Sequence, residues 1–295
     1  MAIHSKLCLF RSVLTITHVP VNAREDGNLS YNRLTVSSKK TGRIMLDIGS
    51  AIDRGIRRRD RENQDALLVL QPNLFHPQPP LLVVADGMGG YQGGATASRT
   101  VIETFQSVYQ KSSRKEPVLD VLARAVKAAH TGIKKLAQEN QSLSQMGSTV
   151  VAVVLDGDRL YLANVGDSRA YLISERRIEQ INWDHSLMAD LVRARQLSPE
   201  QAQNFTRKNI LTLSLSAQQE DVRPYLLEQK LEPDEHVLLC SDGLWGSVPE
   251  KDIQAIVLSR PAAAAAVALV DLANANEGPD NISVVIARRS RHFVS

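Results

Sequence analysis

Apolar and polar residues recur at two periods along this chain, and the switches between them mark its elements. Residues 1–43 hold no sustained period and end in the polar SSKKTG (37–42), which reads as a flexible or loosely attached extension. Within it, 13–19 alternates and reads equally as a strand, so both readings stand open. From Ile44 the pattern sharpens: MLDIGSAID (45–53), the basic turn RRRDR (57–61) and ENQDALLVL (62–70) read as a hairpin. A proline-rich loop (71–80) precedes the apolar run LLVVA (81–85), which fits a buried strand. Ala97, Val101, Ile102, Phe105, Val108 and Tyr109 then recur at helical spacing. So do Leu119, Leu122, Ala125, Val126, Ala129, Ile133 and Leu136, and both stripes read as ordinary core.

Beyond these helices the period returns to two. STVVAVVL (148–155) and RLYLANV (159–165) flank DGD, a hairpin signal, and GDSRAYLI (166–173) continues into another strand. DHSLMADLVRARQLSPEQAQNF (184–205) turns helical and polar, broken at Ser198-Pro199, as suits a surface insertion. Strand character resumes in VRPYLLEQKL (222–231) and HVLLCSD (236–242). A helix from about Pro249, an Ala-rich helix (262–275) and a last strand, NISVVIARR (281–289), follow.

Composition narrows the function classes. With 295 residues, 43% of them apolar, the chain can bury a large core. A net charge of +3 and 4% aromatics announce no nucleic-acid surface. Cys8 and Cys240 lie far apart without a CxxC partner, which points to a reducing compartment rather than disulfides or a thiolate zinc site. No apolar run is long enough to cross a bilayer, and Arg11 interrupts the short apolar group at 7–10, so no membrane and a cytoplasmic location are expected.

The candidate chemistry lies in carboxylates at strand ends. Asp65 in NQDALLVL, Asp86 in VVADGMGG, Asp242 in VLLCSDGLW and Asp280 in GPDNISVV each begin or end an apolar strand, and Asp167 in ANVGDSRA is similar. Singly, each is an ordinary turn residue or helix cap. If these ends converge, their repulsion demands hard cations, and all-oxygen ligands select Mg²⁺ or Mn²⁺ over zinc. There is no Walker loop and no GxSxG elbow, so covalent catalysis lacks support.

Six motifs in order carry a family resemblance: Asp86-Gly87-Met88-Gly89-Gly90, Gly147-Ser148-Thr149, Asn164-Val165-Gly166-Asp167-Ser168-Arg169, Asp184-His185-Ser186-Leu187, Cys240-Ser241-Asp242-Gly243-Leu244 and Asp280-Asn281. Over about 44–288 the chain resembles the metal-dependent serine/threonine protein phosphatases, the protein phosphatase 2C-like group of bacterial type. The resemblance implies an α+β fold in which two packed antiparallel β-sheets form a β-sandwich flanked by α-helices on both sides. The catalytic domain would span 44–290 with a flap insertion at about 184–210, a determinant of substrate choice, and a tail at 291–295. It also implies two Mn²⁺ or Mg²⁺ ions. Asp86 would bridge them, the Gly87 carbonyl would ligate one, Asp242 and Asp280 would hold the other, and Asp65 would act through water. Asp167 would contribute to a third, weaker metal site, against the alternative of a turn cap. The implied reaction hydrolyses phosphoserine and phosphothreonine in proteins by in-line attack of a metal-bridging water, without a phosphoenzyme. Expected partners are phosphorylated proteins, targets of serine/threonine kinases, met by a monomer.

Several positions depart from the family pattern. Gln64 stands where Glu is frequent, Tyr91 replaces a frequent His and Ala95 an acidic residue, while Met88 cannot donate a proton to a leaving group. The phosphate-binding arginine falls by counting at Asp60. Arg59 and Arg61 flank it and share one face of a strand, so either could serve, whereas Arg57 and Arg58 read as solvated. Asn281 reads as fixing the Asp280 loop, and His185 as structural. These departures motivate an alternative, a phosphatase-like regulatory binding module with weak or no turnover. A metal-dependent nuclease would need a basic groove that the composition does not announce.

Overall fold

Strands in which nearly every residue is apolar need cover on both faces, and the computed structural model supplies it by stacking two antiparallel sheets between pairs of helices. Described residues are 12–17, 30–38 and 42–292, except 74, 199–200, 203–204 and 206–209; side chains are described from Leu46 to Arg288, apart from Tyr91 and Gln92.

The first strands are β1 (Ser12–Thr17), β2 (Ser30–Ser38), β3 (Gly42–Asp53), β4 (Asp65–Leu70), β5 (Leu81–Met88), β6 (Gly147–Ser148) and β7 (Val150–Asp156). After them come β8 (Arg159–Val165), β9 (Arg169–Ile173), β10 (Ile178–Gln180), β11 (Leu215–Ser216), β12 (Tyr225–Lys230), β13 (His236–Cys240) and β14 (Ile282–His292). The helices are α1 (Gly90–Lys111), α2 (Val118–Glu139), α3 (Leu187–Arg193), α4 (Asp242–Trp245), α5 (Glu250–Ser259) and α6 (Ala262–Ala275). One sheet runs β1-β2-β3-β14-β13-β9-β10, and the other β11-β6-β5-β7-β8-β12 with β4 against β5.

Alternation sorts each strand's side chains into two layers. Leu81, Val83 and Ala85 of β5 pack with Phe105 of α1 and Val126 and Ile133 of α2, while Leu82 and Val84 face the other sheet. Leu238 and Cys240 of β13 pack with Ile253 and Val257 of α5 and Leu269 of α6, while Val237 and Leu239 meet Leu82 and Val84 between the sheets. The layers are therefore helix, sheet, sheet, helix, as the resemblance implies.

Four expectations change. The hairpin at 45–70 does not form: β3 pairs with β2 and β14 in one sheet, and β4 with β5 in the other. The physical reason is the connection at 54–64, which exceeds the two to five residues or so of a hairpin loop and carries the chain between sheets. The strand expected at 236–242 ends at Cys240, and Asp242 opens α4. In the amino-terminal extension, β1 and β2 lengthen the first sheet beyond β3, while 1–11, 18–29 and 39–41 lie outside the described residues. In the insertion only α3 is a full helix among the described residues, and Pro199 lies outside them. No described helix is long and apolar enough to cross a membrane.

Candidate functional site

At one end of the sandwich the layer between the sheets turns from apolar to polar. On β5 the row Leu82, Val84 continues to Asp86, and on β4 the row Val69, Leu67 continues to Asp65. Asp65 and Asp86 are direct partners across the β4–β5 ladder. From the opposite sheet the row Val237, Leu239 continues to Ser241, whose hydroxyl donates to Asp65 Oδ2 at 2.6 Å and accepts from the Ser283 amide at 3.0 Å. The two sheets thus meet through a hydrogen bond where their apolar rows stop. Thr149 holds Asp86 from β5's other neighbour: its Oγ1 accepts from the Asp86 amide at 3.0 Å, and its own amide donates to the Asp86 carbonyl at 2.8 Å.

Asp242 enters from α4 and lies close enough to Asp86 for its charge to raise the Asp86 pKa. Asp280 enters from the turn before β14, where its Oδ1 accepts from the Asn281 amide at 2.7 Å and its Oδ2 from Arg58 Nη2 at 2.7 Å. Asn281 also takes the Gln64 amide on Oδ1 at 2.9 Å and donates to the Arg54 carbonyl at 2.8 Å, so it pins the Asp280 turn to the β3–β4 connection.

This gathering has an electrostatic signature. Burial, then the charges of Asp65, Asp242, Asp167 and Asp280, push the Asp86 carboxyl well above its ordinary 3.8. Burial raises Asp65 to about 7 against the relief of its Ser241 hydrogen bond, with Asp242 and Asp280 adding to the rise. Asp167 is also carried to about 7, by burial and then by Asp242 and Asp184, and Asp242 to about 6, by burial and Asp280. Burial raises Asp280 too, while Arg58 opposes the shift. Asp65, Asp86, Asp167 and Asp242 are each disturbed by another of these carboxyls, and Asp280 acts on Asp65, Asp86 and Asp242, so the five acids share one neighbourhood.

Divalent cations fit this donor set. Asp65 Oδ1 and Asp242 Oδ1 are buried with no hydrogen-bond partner, so each is an unsatisfied acceptor, as a ligand oxygen is without its ion. The donors are carboxylates, which suit hard ions. A hard ion that keeps several waters needs only one or two carboxylates, and among the described residues no group of three or more His, Cys, Asp or Glu encloses an ion by itself.

The arginine run is arranged differently from expectation. Arg58, read as solvated, is partly buried and paired with Asp280. Arg59 is exposed and follows the 3-10 turn Ile56–Arg58. A cavity of about 220 Å³ is lined by Arg58, Arg61, Glu62, Gln64 and Gly90, so Arg61 and Arg58 face it rather than Arg59. The residues lie on a turn and a loop, so the strand rule that grouped Arg59 with Arg61 does not apply. Gln64 donates through Nε2 to the Gly90 carbonyl at 2.5 Å, a contact that an ionised Glu, with no donor, could not make.

A second buried cluster, which the sequence reading did not single out, lies beside Asp167. Arg169 forks onto Asp184 at 2.7 and 3.1 Å and stacks 3.7 Å over the Trp245 ring, while Trp245 Nε1 donates to the Asp167 carbonyl at 3.0 Å. This ties the root of the insertion to α4. His185 Nδ1 accepts from the Gly166 amide at 3.0 Å, a structural role. The side chain of Tyr91 lies outside those described, and Ala95 is buried in α1.

Gly243 shows how closely the site is packed. A Cβ there would lie 2.0 Å from the Asn281 carbonyl oxygen. Gly243→Ala should therefore lower stability by roughly 1–3 kcal/mol through overpacking against backbone. Urea unfolding would show it as a lower midpoint, and an unchanged midpoint would contradict the close approach.

Known proteins place these features in context. The family model described as Protein phosphatase 2C matches residues 53–275. The serine/threonine phosphatase stp of Listeria welshimeri is 31% identical over 243 residues, spanning 81% of this chain and 94% of the relative. The crystal structure of the Mycobacterium tuberculosis serine/threonine phosphatase PstP/Ppp superposes with a TM-score of 0.75 at 30% identity, covering 84% of this chain and 99% of that one. The catalytic domain of PstP in complex with 2 manganese ions gives 0.73 at 30% identity, with the same coverage.

Proposed function

The chain belongs to the protein phosphatase 2C family, and on that premise we propose that this serine/threonine phosphatase works at the Asp65, Asp86, Asp242 and Asp280 centre, releasing phosphate from phosphoserine and phosphothreonine in proteins directly to water. The observation that carries this reading is the convergence of these carboxylates at the end of the inter-sheet layer, with buried oxygens left unpartnered. Asp86 with the neighbouring Gly87 carbonyl would hold one Mn²⁺ or Mg²⁺, and Asp242 and Asp280 a second beside it, with waters completing both shells. Asp167, beside Asp242, would take part in a third, weaker site. Bound there, the cations would neutralise phosphate charge and lower the pKa of water toward neutrality.

The chain's own groups do the rest. Arg58 and Arg61 line the cavity beside Asp280 and would orient the phosphoryl oxygens. Asp65, fixed by Ser241 on one oxygen, would orient water with the other. Met88 offers no proton, so the leaving serine or threonine oxygen takes one from water. No side chain need be phosphorylated on the way. A monomer acting in the cytoplasm on the products of serine/threonine kinases completes the reading, consistent with a buried free thiol at Cys240.

A phosphothreonine peptide assayed with Mn²⁺, with Mg²⁺ and with EDTA tests it. Release of phosphate that depends on the added ion and stops with EDTA is the expected result. A purified, folded chain that releases none with either metal would leave the regulatory binding module as the better description.

A further inference from the structure

The connection between β3 and β4 concentrates positive charge. Arg54, Arg57, Arg58, Arg59 and Arg61 stand in nine residues against Asp60 and Glu62. Arg57 pairs with Glu277 and Arg58 with Asp280. Glu62 is in turn matched by Arg99 of α1. Arg54 and Arg59 are exposed, and Arg54 Nη1 meets the neutral Arg59 carbonyl at 3.4 Å. This surface begins at the carboxylate centre, because its inner members Arg58 and Arg61 line the cavity that Gln64, next to Asp65, also lines.

We propose that this connection is an anion-binding lip that selects phosphorylated substrates carrying a second acidic group within a few residues of the phosphoserine or phosphothreonine. The inference deepens the phosphatase reading and rests on it. With the phosphoryl group at Arg58 and Arg61, an extended substrate advances about 3.3–3.6 Å per residue. Its next few side chains therefore pass over the Arg59 and Arg54 end of the loop. Guanidinium forks match carboxylate and phosphate oxygens alike, so an Asp or Glu side chain or a further phosphate supplies the same chemistry. Exposed pairs are individually weak, but several of one sign also steer encounter, so the lip should act on kcat/KM and respond to salt.

The test compares four phosphothreonine peptides of one length, with neutral flanks, Asp/Glu flanks, a second phosphothreonine, or Lys flanks. Acidic and doubly phosphorylated peptides should exceed the neutral one in kcat/KM by about five- to tenfold, with the Lys peptide lowest. The preference should shrink between about 0.05 M and about 0.5 M salt, a reading that needs no variant. In the Arg54→Gln, Arg59→Gln double variant the ratio of acidic to neutral kcat/KM should fall toward one. Preference for the doubly phosphorylated peptide alone assigns the lip to phosphate, and preference for both extends it to carboxylates. Equal use of all four peptides overturns the lip, as does a ratio that survives both salt and the double substitution. The same peptides made with a non-hydrolysable phosphonate, read by fluorescence anisotropy, separate the two readings. Tighter binding of the acidic phosphonate without turnover of any phosphopeptide keeps the lip and rejects the phosphatase. Turnover with no acidic preference keeps the phosphatase and rejects the lip.

Discussion

Asp86→Asn should cost about a thousandfold or more in kcat/KM, and the metal-free protein should become more stable by the same substitution. Both effects follow from one fact of position. Asp86 continues the inter-sheet row of β5 into a polar end where Asp65, Asp242, Asp167 and Asp280 all raise its pKa. An amide of the same shape removes the central charge of that cluster and so relieves repulsion on its neighbours. It also removes an anionic oxygen that would hold a cation, which is why function and stability are expected to move in opposite directions. Asp242→Asn should behave alike, since Asp242 contributes to the shifts of Asp65, Asp86 and Asp167. Steady-state kinetics on a phosphothreonine peptide with Mn²⁺, beside thermal scans in EDTA, would check both halves. Turnover within tenfold of the parent chain would remove these residues from the proposed centre, and a lower melting temperature in EDTA would contradict the account of their repulsion.

How much of this centre could be read before the structure depends on the range of the interactions involved. Alternation along β5 places Asp86 on the same face as Leu82 and Val84, and alternation along β4 does the same for Asp65; both are local facts of a two-residue period. The apolar runs that deliver Asp242 and Asp280 are equally local. What no local pattern carries is the pairing of sheets. The segments at 45–53 and 62–70 look like hairpin partners, yet the connection between them is long enough to cross the sandwich, and each strand finds better cover elsewhere. Arg58 was obscured by the same crossing, because its partner Asp280 lies 222 residues away and arrives only when β14 pairs with β3. Ser241 likewise reads as a polar residue at a strand end until its hydroxyl is found on Asp65 of the facing sheet. Gln64 looks like a lost charge in sequence, and in the fold it is a donor to the Gly90 carbonyl. Arg169 and Asp184 belong to two motifs of the ordered series and Trp245 directly follows a third, and only the tertiary fold stacks them together.

In EDTA the unaltered chain should be more stable near pH 5 than near pH 7.5, and added Mn²⁺ should stabilise it most at the higher pH. Burial and mutual repulsion hold Asp65 and Asp167 at about 7 and Asp242 at about 6 in the folded chain, against an ordinary 3.8. Between about pH 4 and pH 7 the folded state therefore binds more protons than the unfolded one. Stability then falls as pH rises, fully present below the unfolded value and lost through the folded one. Moving Asp65 alone from 3.8 to about 7 corresponds to roughly 4 kcal/mol, and the coupled neighbours share rather than multiply that figure. For a domain of this size a kcal/mol shifts the melting temperature by about 2–4 °C, so the difference across this range is on the order of 10 °C. Cation binding requires ionised ligands and stabilises only the folded chain, so it gains force over the same interval in which the metal-free protein weakens. Calorimetric scans at the two pH values, with EDTA and with Mn²⁺, read all four states. A melting temperature in EDTA that rises from pH 5 to pH 7.5, or a Mn²⁺ shift equal at both, would mean that these acids do not repel one another as their burial requires. The outcome described here would instead show that a fold which gathers its carboxylates where its apolar rows end depends on cations for much of its stability near neutral pH.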